Sequence, residues 1–169
     1  MIMDEKAMQR AIARISYEII EHNKGAEDIC VVGILSRGVT IGKRIAEKLG
    51  ELEKVDVPFG QLDITPYRDD SSGIGEAEDT DIPFDVRDKN VIIVDDVIFT
   101  GRSSRAALEA IIRRGRPRSV QLAVLIDRGH RELPIRPDYV GKNLPTSHSE
   151  VVKVYVRELD GSDCVAIFD

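Results

Sequence analysis

The sequence has few cysteines and no long apolar run. Its two cysteines, Cys30 and Cys164, each lie in a short apolar stretch, and no CxxC-type spacing indicates a metal site. We expect both thiols to be buried as small apolar side chains. The longest apolar runs fall short of the about 18 residues that a membrane span needs, and the first ten residues contain no apolar core. We therefore expect a cytoplasmic protein without a signal peptide or a membrane span.

An excess of positive charge is also missing. Lysine and arginine number 24 against 30 aspartates and glutamates, which gives a net charge of −6. This balance excludes a protein that coats nucleic acid through bulk charge, but it leaves room for a local basic face. A length of 169 residues, with 42% hydrophobic and 32% charged residues, predicts one globular domain over residues 1–169.

Segments with helical periodicity alternate with short apolar runs. Helices are predicted over 4–23, 39–49 and 103–114, with Asp4 as the first N-cap. Strands are predicted over 29–35, 55–64, 91–94, 120–126, 138–140, 151–156 and 164–168. The polar, acidic stretch 65–83 is predicted to be a mobile loop that could contain a hairpin. The alternation predicts an α/β fold whose parallel sheet is covered on both faces.

Three loops follow predicted strands at the edge where such sheets bind ligands. They are 35–38, 95–103 and 127–130. Ligands of open parallel sheets lie outside the carboxyl ends of the strands, at the point where the strand order reverses. We therefore expect the functional residues in these three loops.

The stretch VIIVDDVIFTGRS, residues 91–103, combines two chemistries at one strand end. Its hydroxyl- and glycine-containing turn opens a helix, where free N–H groups and the helix dipole favour a phosphate. The Asp95 and Asp96 carboxylates upstream are acceptors, which repel phosphate but accept hydrogen bonds from a vicinal diol. Together these features indicate a ribose 5-phosphate site.

Two other interpretations of this stretch are open to the residues alone. The acid pair could simply end a strand while the turn caps a helix. An acidic phosphoacceptor pocket of the response-regulator type is disfavoured, because such a pair follows the first strand of the domain, whereas Asp95 and Asp96 follow roughly the third.

The order of residues in 91–103 resembles the signature of the type I phosphoribosyltransferases. DITPYRDD at 63–70, LIDRGHRELPIRPDYVGKNLPTS at 125–147 and NKG at 23–25 resemble the PyrR family across nearly the whole chain. The resemblance implies a central, mostly parallel twisted sheet flanked by helices on both faces, with a flexible loop and a small hood. It also implies a protein that makes UMP and diphosphate from uracil and 5-phosphoribosyl 1-diphosphate, and that attenuates pyrimidine operons by binding RNA in response to uridine nucleotides such as UMP and UTP.

The resemblance assigns roles to individual residues. Asp95 and Asp96 would hold the ribose hydroxyls, and they are expected to be catalytic together with Arg37 and Arg68. The 5′-phosphate would contact Thr100, Gly101, Arg102, Ser103 and Ser104. The diphosphate would contact Ser36, Arg37 and Gly38, in a loop expected to contain a cis peptide bond. The loop that closes over the site would contribute Tyr67, Arg68, Asp69 and Asp70. The remaining expected substrate-binding residues are Asp127 and Arg128. Mg²⁺ would be held mainly by the diphosphate and by no protein side chains alone.

The resemblance also implies a leader-mRNA stem-loop as a partner, a homodimer or homotetramer, and neither DNA nor membrane. The basic residues offered for RNA are Arg10, Arg14, Arg131, Arg136 and Lys142, which could equally be scattered solvated charges. The basic run 113–118 is better explained as cations at a helix C-terminus. His22 and His148 are predicted to be solvated, and His130 to lie at the ligand edge without acting as a base. A purine or other salvage phosphoribosyltransferase, and a regulator with a vestigial site, remain alternative functions.

Overall fold

The computed structural model describes residues 1–69 and 79–169, and these form four α-helices and seven strands. The helices are α1 (Glu5–Asn23), α2 (Arg37–Glu53), α3 (Arg102–Arg114) and the short α4 (Arg157–Asp160). The strands are β1 (Ile29–Ile34), β2 (Phe59–Leu62), β3 (Asn90–Ile98), β4 (Ser119–Asp127), β5 (Tyr139–Asn143), β6 (Val151–Tyr155) and β7 (Cys164–Phe168). A single 3₁₀ turn, Thr65–Tyr67, follows β2.

Five of the strands form one parallel sheet in the order β2-β1-β3-β4-β5. The strand order reverses between β1 and β3, so the ligand edge predicted from sequence lies at the carboxyl ends of these two neighbours. β6 and β7 form a separate antiparallel hairpin, the hood, which is joined to the N-terminal segment through the bridge between Met3 and Val165.

The sheet is buried on both faces, as the continuous apolar strands predicted. Alternate residues of one strand point to opposite sides, so Val31 packs with the cluster beneath α1 and α2, whereas Val32 packs with the cluster beneath α3. The hood contributes Val154, Val156 and Val165 to the first cluster. No helix within the described ranges is long and apolar enough to cross a membrane.

Predicted element types agree with the structure, while several bounds were wrong. The Asp4 cap is confirmed, because its Oδ1 accepts a hydrogen bond from Ala7 N at 2.8 Å. α2 starts at Arg37 instead of 39, and β2 is shorter than the predicted 55–64 because Pro58 cannot donate to a ladder. β3 continues through the acid pair to Ile98, where the prediction ended it at 94.

A polar cluster in the sheet fixes the end of α1. The Asn23 and Gln121 amides bond each other at 2.8 and 3.0 Å, and the Tyr139 hydroxyl donates to Gln121 Oε1 at 2.5 Å. Burial is the main cause that raises the pKa of Tyr139 to about 12, so the phenol stays a donor at neutral pH. The NKG segment at 23–25 thus joins α1 to β4 and β5.

Arg44 of α2 holds the hood through two carboxylates. Its Nη atoms donate to Asp163 at 2.9 and 3.0 Å, and it also pairs with Glu158. The Asp163 side chain is only 3% exposed. Removing Arg44 would therefore leave a buried carboxylate without its cation.

We expect Arg44→Ala to lower the free energy of unfolding by about 2–4 kcal/mol, somewhat less than the about 3–5 kcal/mol for breaking a fully buried ion pair, because the Arg44 side chain is 21% exposed. Urea denaturation measures this change. Lys43→Ala, at an exposed position on the same helix, serves as the control and should change it by less than about 0.5 kcal/mol. An equal effect of the two substitutions would show that the Arg44 contacts do not hold the hood.

Candidate active site

The acid pair lies near the carboxyl end of the central strand β3. Asp95 is 9% exposed and Asp96 is half-buried. Asp95 Oδ1 accepts a hydrogen bond from Asp96 N at 2.9 Å, and Asp96 Oδ1 accepts one from Val97 N at 2.8 Å. Burial, and then the negative charge of Asp96, raise the pKa of Asp95 well above its usual range. The Asp95 carboxyl therefore loses its proton less readily than an ordinary aspartate.

The turn between β3 and α3 contains the residues that the sequence predicts to bind a phosphate. Gly101 adopts φ +94°, which favours glycine, and it is the residue that precedes the first turn of α3. Thr100 Oγ1 accepts a hydrogen bond from Arg102 N at 3.2 Å, while the Ser104 side chain is buried against the turn. The first turn of α3 contains no acid. Its N–H groups can therefore receive a phosphate without a competing carboxylate.

A cavity of about 300 Å³ joins Asp95 to this turn, whereas Asp96 is not among the residues that line it. It is lined by Arg68, Asp95 and the continuous stretch Val97 to Ser104. The structure thus brings together three groups of residues that the sequence predicted for one substrate. Arg37, Asp127 and Arg128 do not line this cavity.

The loop before α2 lies directly against the acid pair. The Leu35–Ser36 peptide bond is cis, as predicted. At Gly38, an added Cβ would lie 2.6 Å from Val94 O and 3.2 Å from Asp95 Cα, which no real Cβ tolerates. Only a glycine at position 38 lets the start of α2 pack on the end of β3. This packing places Ser36, Arg37 and Gly38 beside Asp95.

Arg37 turns toward the hood and away from the cavity. Its Nη2 donates to Asp160 Oδ1 at 2.6 Å, and its Nη1 donates to Ser36 Oγ at 3.1 Å. The other oxygen of Asp160 accepts a hydrogen bond from Val156 N at 2.9 Å. That backbone bond and Arg37 hold the pKa of Asp160 below its usual range. Asp160 is a residue that the sequence reasoning missed, since nothing in the ELDG stretch indicates a partner far along the chain.

Tyr67 ends the 3₁₀ turn, and Arg68 and Asp69 follow it. Of these three residues Arg68 lines the cavity, and Asp70 lies outside the described residues. Arg102 Nη1 donates to Asp69 Oδ2 at 2.5 Å, and Arg102 Nε donates to Glu132 at 3.0 Å. The guanidinium of Arg102 is thus directed to carboxylates and its backbone N–H donates to Thr100 Oγ1, so its contact with phosphate stays a prediction.

The third predicted loop is built around a stacked arginine. Arg128 is 7% exposed, and its guanidinium lies 4.1 Å from the centre of the Phe99 ring. It donates to Thr146 Oγ1 at 3.1 Å and to Ser147 O at 3.0 Å. Asp127 accepts from Gly129 N. The substrate contacts predicted for Asp127 and Arg128 stay predictions. In the structure Arg128 holds the segment at Thr146 and Ser147, and Asp127 holds the turn at Gly129.

Two histidines complete an aromatic cluster with Phe99. The His130 and His148 ring centres lie 4.8 Å apart, and they lie 5.6 and 5.3 Å from that of Phe99. His148 is exposed, as predicted, yet it belongs to this cluster. The sequence reasoning missed Phe99, although its position next to Thr100 in the signature was a signal that could have found it.

Within residues 1–69 and 79–169, no three histidine, cysteine or acidic side chains gather as a metal site. Asp95 is the carboxylate that lines the cavity, and Asp96 is the next residue along β3. Mg²⁺ takes one or two such carboxylates alongside substrate phosphates, so the donor set fits a metal that arrives with its substrate.

Comparisons with known proteins agree with this geometry. The phosphoribosyl transferase domain family matches residues 1–158. Proteins named bifunctional protein PyrR are similar along almost the whole chain: that of Deinococcus radiodurans is 56% identical, with 99% of this chain and 93% of the relative covered. That of Acetivibrio thermocellus is 57% identical, with 99% and 93% covered.

Solved structures share the fold at low identity. The hypoxanthine phosphoribosyltransferase of Trypanosoma cruzi superposes with a TM-score of 0.72 at 20% identity, with 90% of this chain and 83% of that chain covered. That of Staphylococcus aureus gives a TM-score of 0.67 at 20% identity, with 84% and 75% covered. At this identity the likeness shows the phosphoribosyltransferase fold alone.

The environment of Asp95 predicts opposite effects on activity and stability. Asp95→Asn should lower turnover about 10- to 1000-fold, because an ionised oxygen facing a developing cation counts most in the transition state. The same change should raise the unfolding midpoint at pH 8. A carboxyl whose folded pKa is raised stabilises the fold below its unfolded pKa, and that contribution is lost as pH rises through the folded pKa.

Thermal unfolding at pH 5 and pH 8, together with steady-state kinetics, checks this prediction. The stability gain of the variant over the parent should shrink as the pH falls toward the unfolded pKa of aspartate, about 3.9. Asp56→Asn, at an exposed position, is the control. A variant that is less stable at pH 8 than at pH 5, relative to the parent, would contradict the burial argument.

Proposed function

The chain belongs to the PyrR family of phosphoribosyltransferases, and from this membership we propose a reaction and a regulatory role. The protein transfers the phosphoribosyl group of 5-phosphoribosyl 1-diphosphate to uracil, which yields UMP and diphosphate. It also binds a stem-loop of pyrimidine-operon leader mRNA in response to uridine nucleotides. The observation that supports the reaction is the cavity that Asp95 lines together with Arg68 and the turn Thr100 to Ser104.

The chemistry explains why both charges are needed at this edge. The C1–diphosphate bond breaks ahead of attack by the uracil nitrogen, so the ribose becomes cation-like. The Asp95 and Asp96 carboxylates accept the ribose hydroxyls and favour that positive charge. Arg37 and Arg68 favour the departing diphosphate. Each well-placed charge supplies roughly 3 kcal/mol, or about a hundredfold in rate.

Mg²⁺ belongs to this proposal as the companion of the diphosphate. Bound there, it neutralises the leaving group. Asp95 and Asp96 are the side chains that would meet it on the protein side. The rest of the work falls to this chain: the N-terminus of α3 holds the 5′-phosphate, and the loop at Gly38 keeps the diphosphate end beside the acid pair.

The nucleobase is tested by incubating the protein with 5-phosphoribosyl 1-diphosphate, Mg²⁺ and one base at a time, and by following diphosphate release. We expect turnover with uracil. Turnover with hypoxanthine or guanine alone would make the protein a purine salvage enzyme. Binding of UMP without turnover of any base would make it a regulator with a vestigial site.

The RNA face is proposed at the packing of α1 against β5. Arg14 Nη2 donates to the carbonyls of Val140 and Gly141, which brings α1 beside the basic 136–142 segment. Arg10, Arg136 and Lys142 are exposed there. A homodimer or homotetramer would join two such faces into one larger basic surface.

Arg131, like Arg14, is committed to contacts within the protein, unlike the exposed Arg136 and Lys142. Its three nitrogens donate to Ile135 O, Phe99 O and Asp127 Oδ2 at 2.7 to 2.9 Å. Its guanidinium therefore fixes the loop after β4 to the residue before the phosphate turn. We assign it to structure, and we keep Arg136 and Lys142 as the exposed candidates for phosphate contact.

We expect Arg136→Ala and Lys142→Ala to weaken binding of leader RNA and to reduce the slope of log affinity against log salt by about one unit each. Binding measured between low and moderate salt, with and without UMP, checks this. Arg118→Ala is the matched control, since Arg118 pairs with Asp28 elsewhere on the surface. Unchanged slopes for both variants would remove the RNA face from 136–142.

A further inference from the structure

One side of α3 carries a row of charged residues that the reaction as described does not use. Arg102, Arg105, Glu109 and Arg113 are spaced by three and four residues, which places them on one face of the helix. We call this side of α3 the arginine face. It contacts the segment Tyr67 to Asp69, from which Arg68 reaches the cavity.

Each arginine of this face contacts that segment differently. Arg105 Nη2 donates to the backbone carbonyl of Tyr67 at 2.7 Å. The Arg113 guanidinium lies 5.9 Å from the centre of the Tyr67 ring. Arg102 pairs with Asp69 on the other side of Arg68. The residues before and after Arg68 are thus both tied to α3.

The Arg105 contact is the most specific of the three. The carbonyl of Tyr67 belongs to the peptide bond that leads into Arg68, so this hydrogen bond fixes the plane from which the Arg68 side chain departs. Arg105 is itself fixed, because its Nη1 donates to Glu109 Oε2 at 3.1 Å. Its planar guanidinium serves the carboxylate and the carbonyl at once, which a lysine cannot match.

The start of the segment is also held. Asp63 Oδ1 accepts hydrogen bonds from Thr65 N at 3.0 Å and Thr65 Oγ1 at 2.7 Å, and Tyr67 N donates to Ile64 O at 2.9 Å. Arg105 therefore closes a short segment whose other end is already anchored.

We propose that Arg105 is a positioning residue that aims Arg68 at the diphosphate group of the substrate. The inference rests on the proposed function, which gives Arg68 its diphosphate role. α3 then serves both ends of one substrate: its N-terminus receives the 5′-phosphate, and its arginine face sets the cation that meets the diphosphate. Misplacing a charged group by a small distance is costly in such sites, since orientation contributes to the rate.

Binding of two ligands separates positioning from a structural role. Diphosphate requires Arg68, whereas UMP uses the acid pair and the phosphate turn but has no diphosphate. Arg105→Ala should weaken diphosphate binding and lower kcat/KM for 5-phosphoribosyl 1-diphosphate by about tenfold, while UMP affinity changes less than about twofold. Arg105→Lys should recover only part of the loss. Arg118→Ala, remote from this face, should change neither ligand.

A double-mutant cycle completes the test. If Arg105 acts through Arg68, adding Arg105→Ala to Arg68→Ala should cost diphosphate binding little more than Arg68→Ala alone. Additive losses, or equal losses of UMP and diphosphate in Arg105→Ala, would overturn the inference. A parent protein that binds UMP but neither diphosphate nor 5-phosphoribosyl 1-diphosphate would instead refute the proposed function.

Discussion

The ligand edge depends on one close approach between two backbones. α2 packs so tightly on the ends of β1 and β3 that a Cβ at Gly33 would lie 2.5 Å from Gly38 O, and one at Gly38 would lie 2.6 Å from Val94 O. This contact puts the loop at Ser36 against the acid pair, at the point where the strand order reverses. Any larger residue at either glycine would push the two loops apart. The phosphate turn directly follows β3, so the position of this strand end also fixes the position of the turn.

Much of this arrangement could be predicted from the sequence because its causes are local. Continuous apolar strands between amphipathic helices indicate a parallel sheet that is covered on both faces. The signature at 91–103 places acids, hydroxyls and a glycine in one short stretch at the carboxyl end of a strand. The cavity lined by Arg68, Asp95 and Thr100 to Ser104 confirms that these segments meet. Strand bounds were less predictable, since β3 continues through Asp95 and Asp96 to Ile98 because β4 still offers it partners after the pairing with β1 has ended at Val94.

The rest could not be predicted because it depends on side chains that are far apart in sequence. The contact between Arg37 and Asp160 spans the diphosphate loop and the hood. Arg105 reaches the carbonyl of Tyr67 across a separation that no local pattern reveals. Arg131 looked like a surface charge in sequence, yet its three nitrogens are committed to the protein itself. From the sequence alone, an arginine that binds a ligand cannot be distinguished from one that supports a ligand-binding residue.

The Arg37–Asp160 pair gives the diphosphate loop an internal counter-ion. The Arg37 guanidinium already has a carboxylate partner, Asp160, at 2.6 Å. An anion that binds Arg37 would therefore displace this carboxylate, and not small ions from solution. Fewer solution ions are then released than the number of arginines around the site implies. The affinity of this loop for diphosphate should accordingly depend only weakly on ionic strength. Asp160 lies at the end of α4. An anion that replaced Asp160 on Arg37 would therefore break a contact between this loop and the hood.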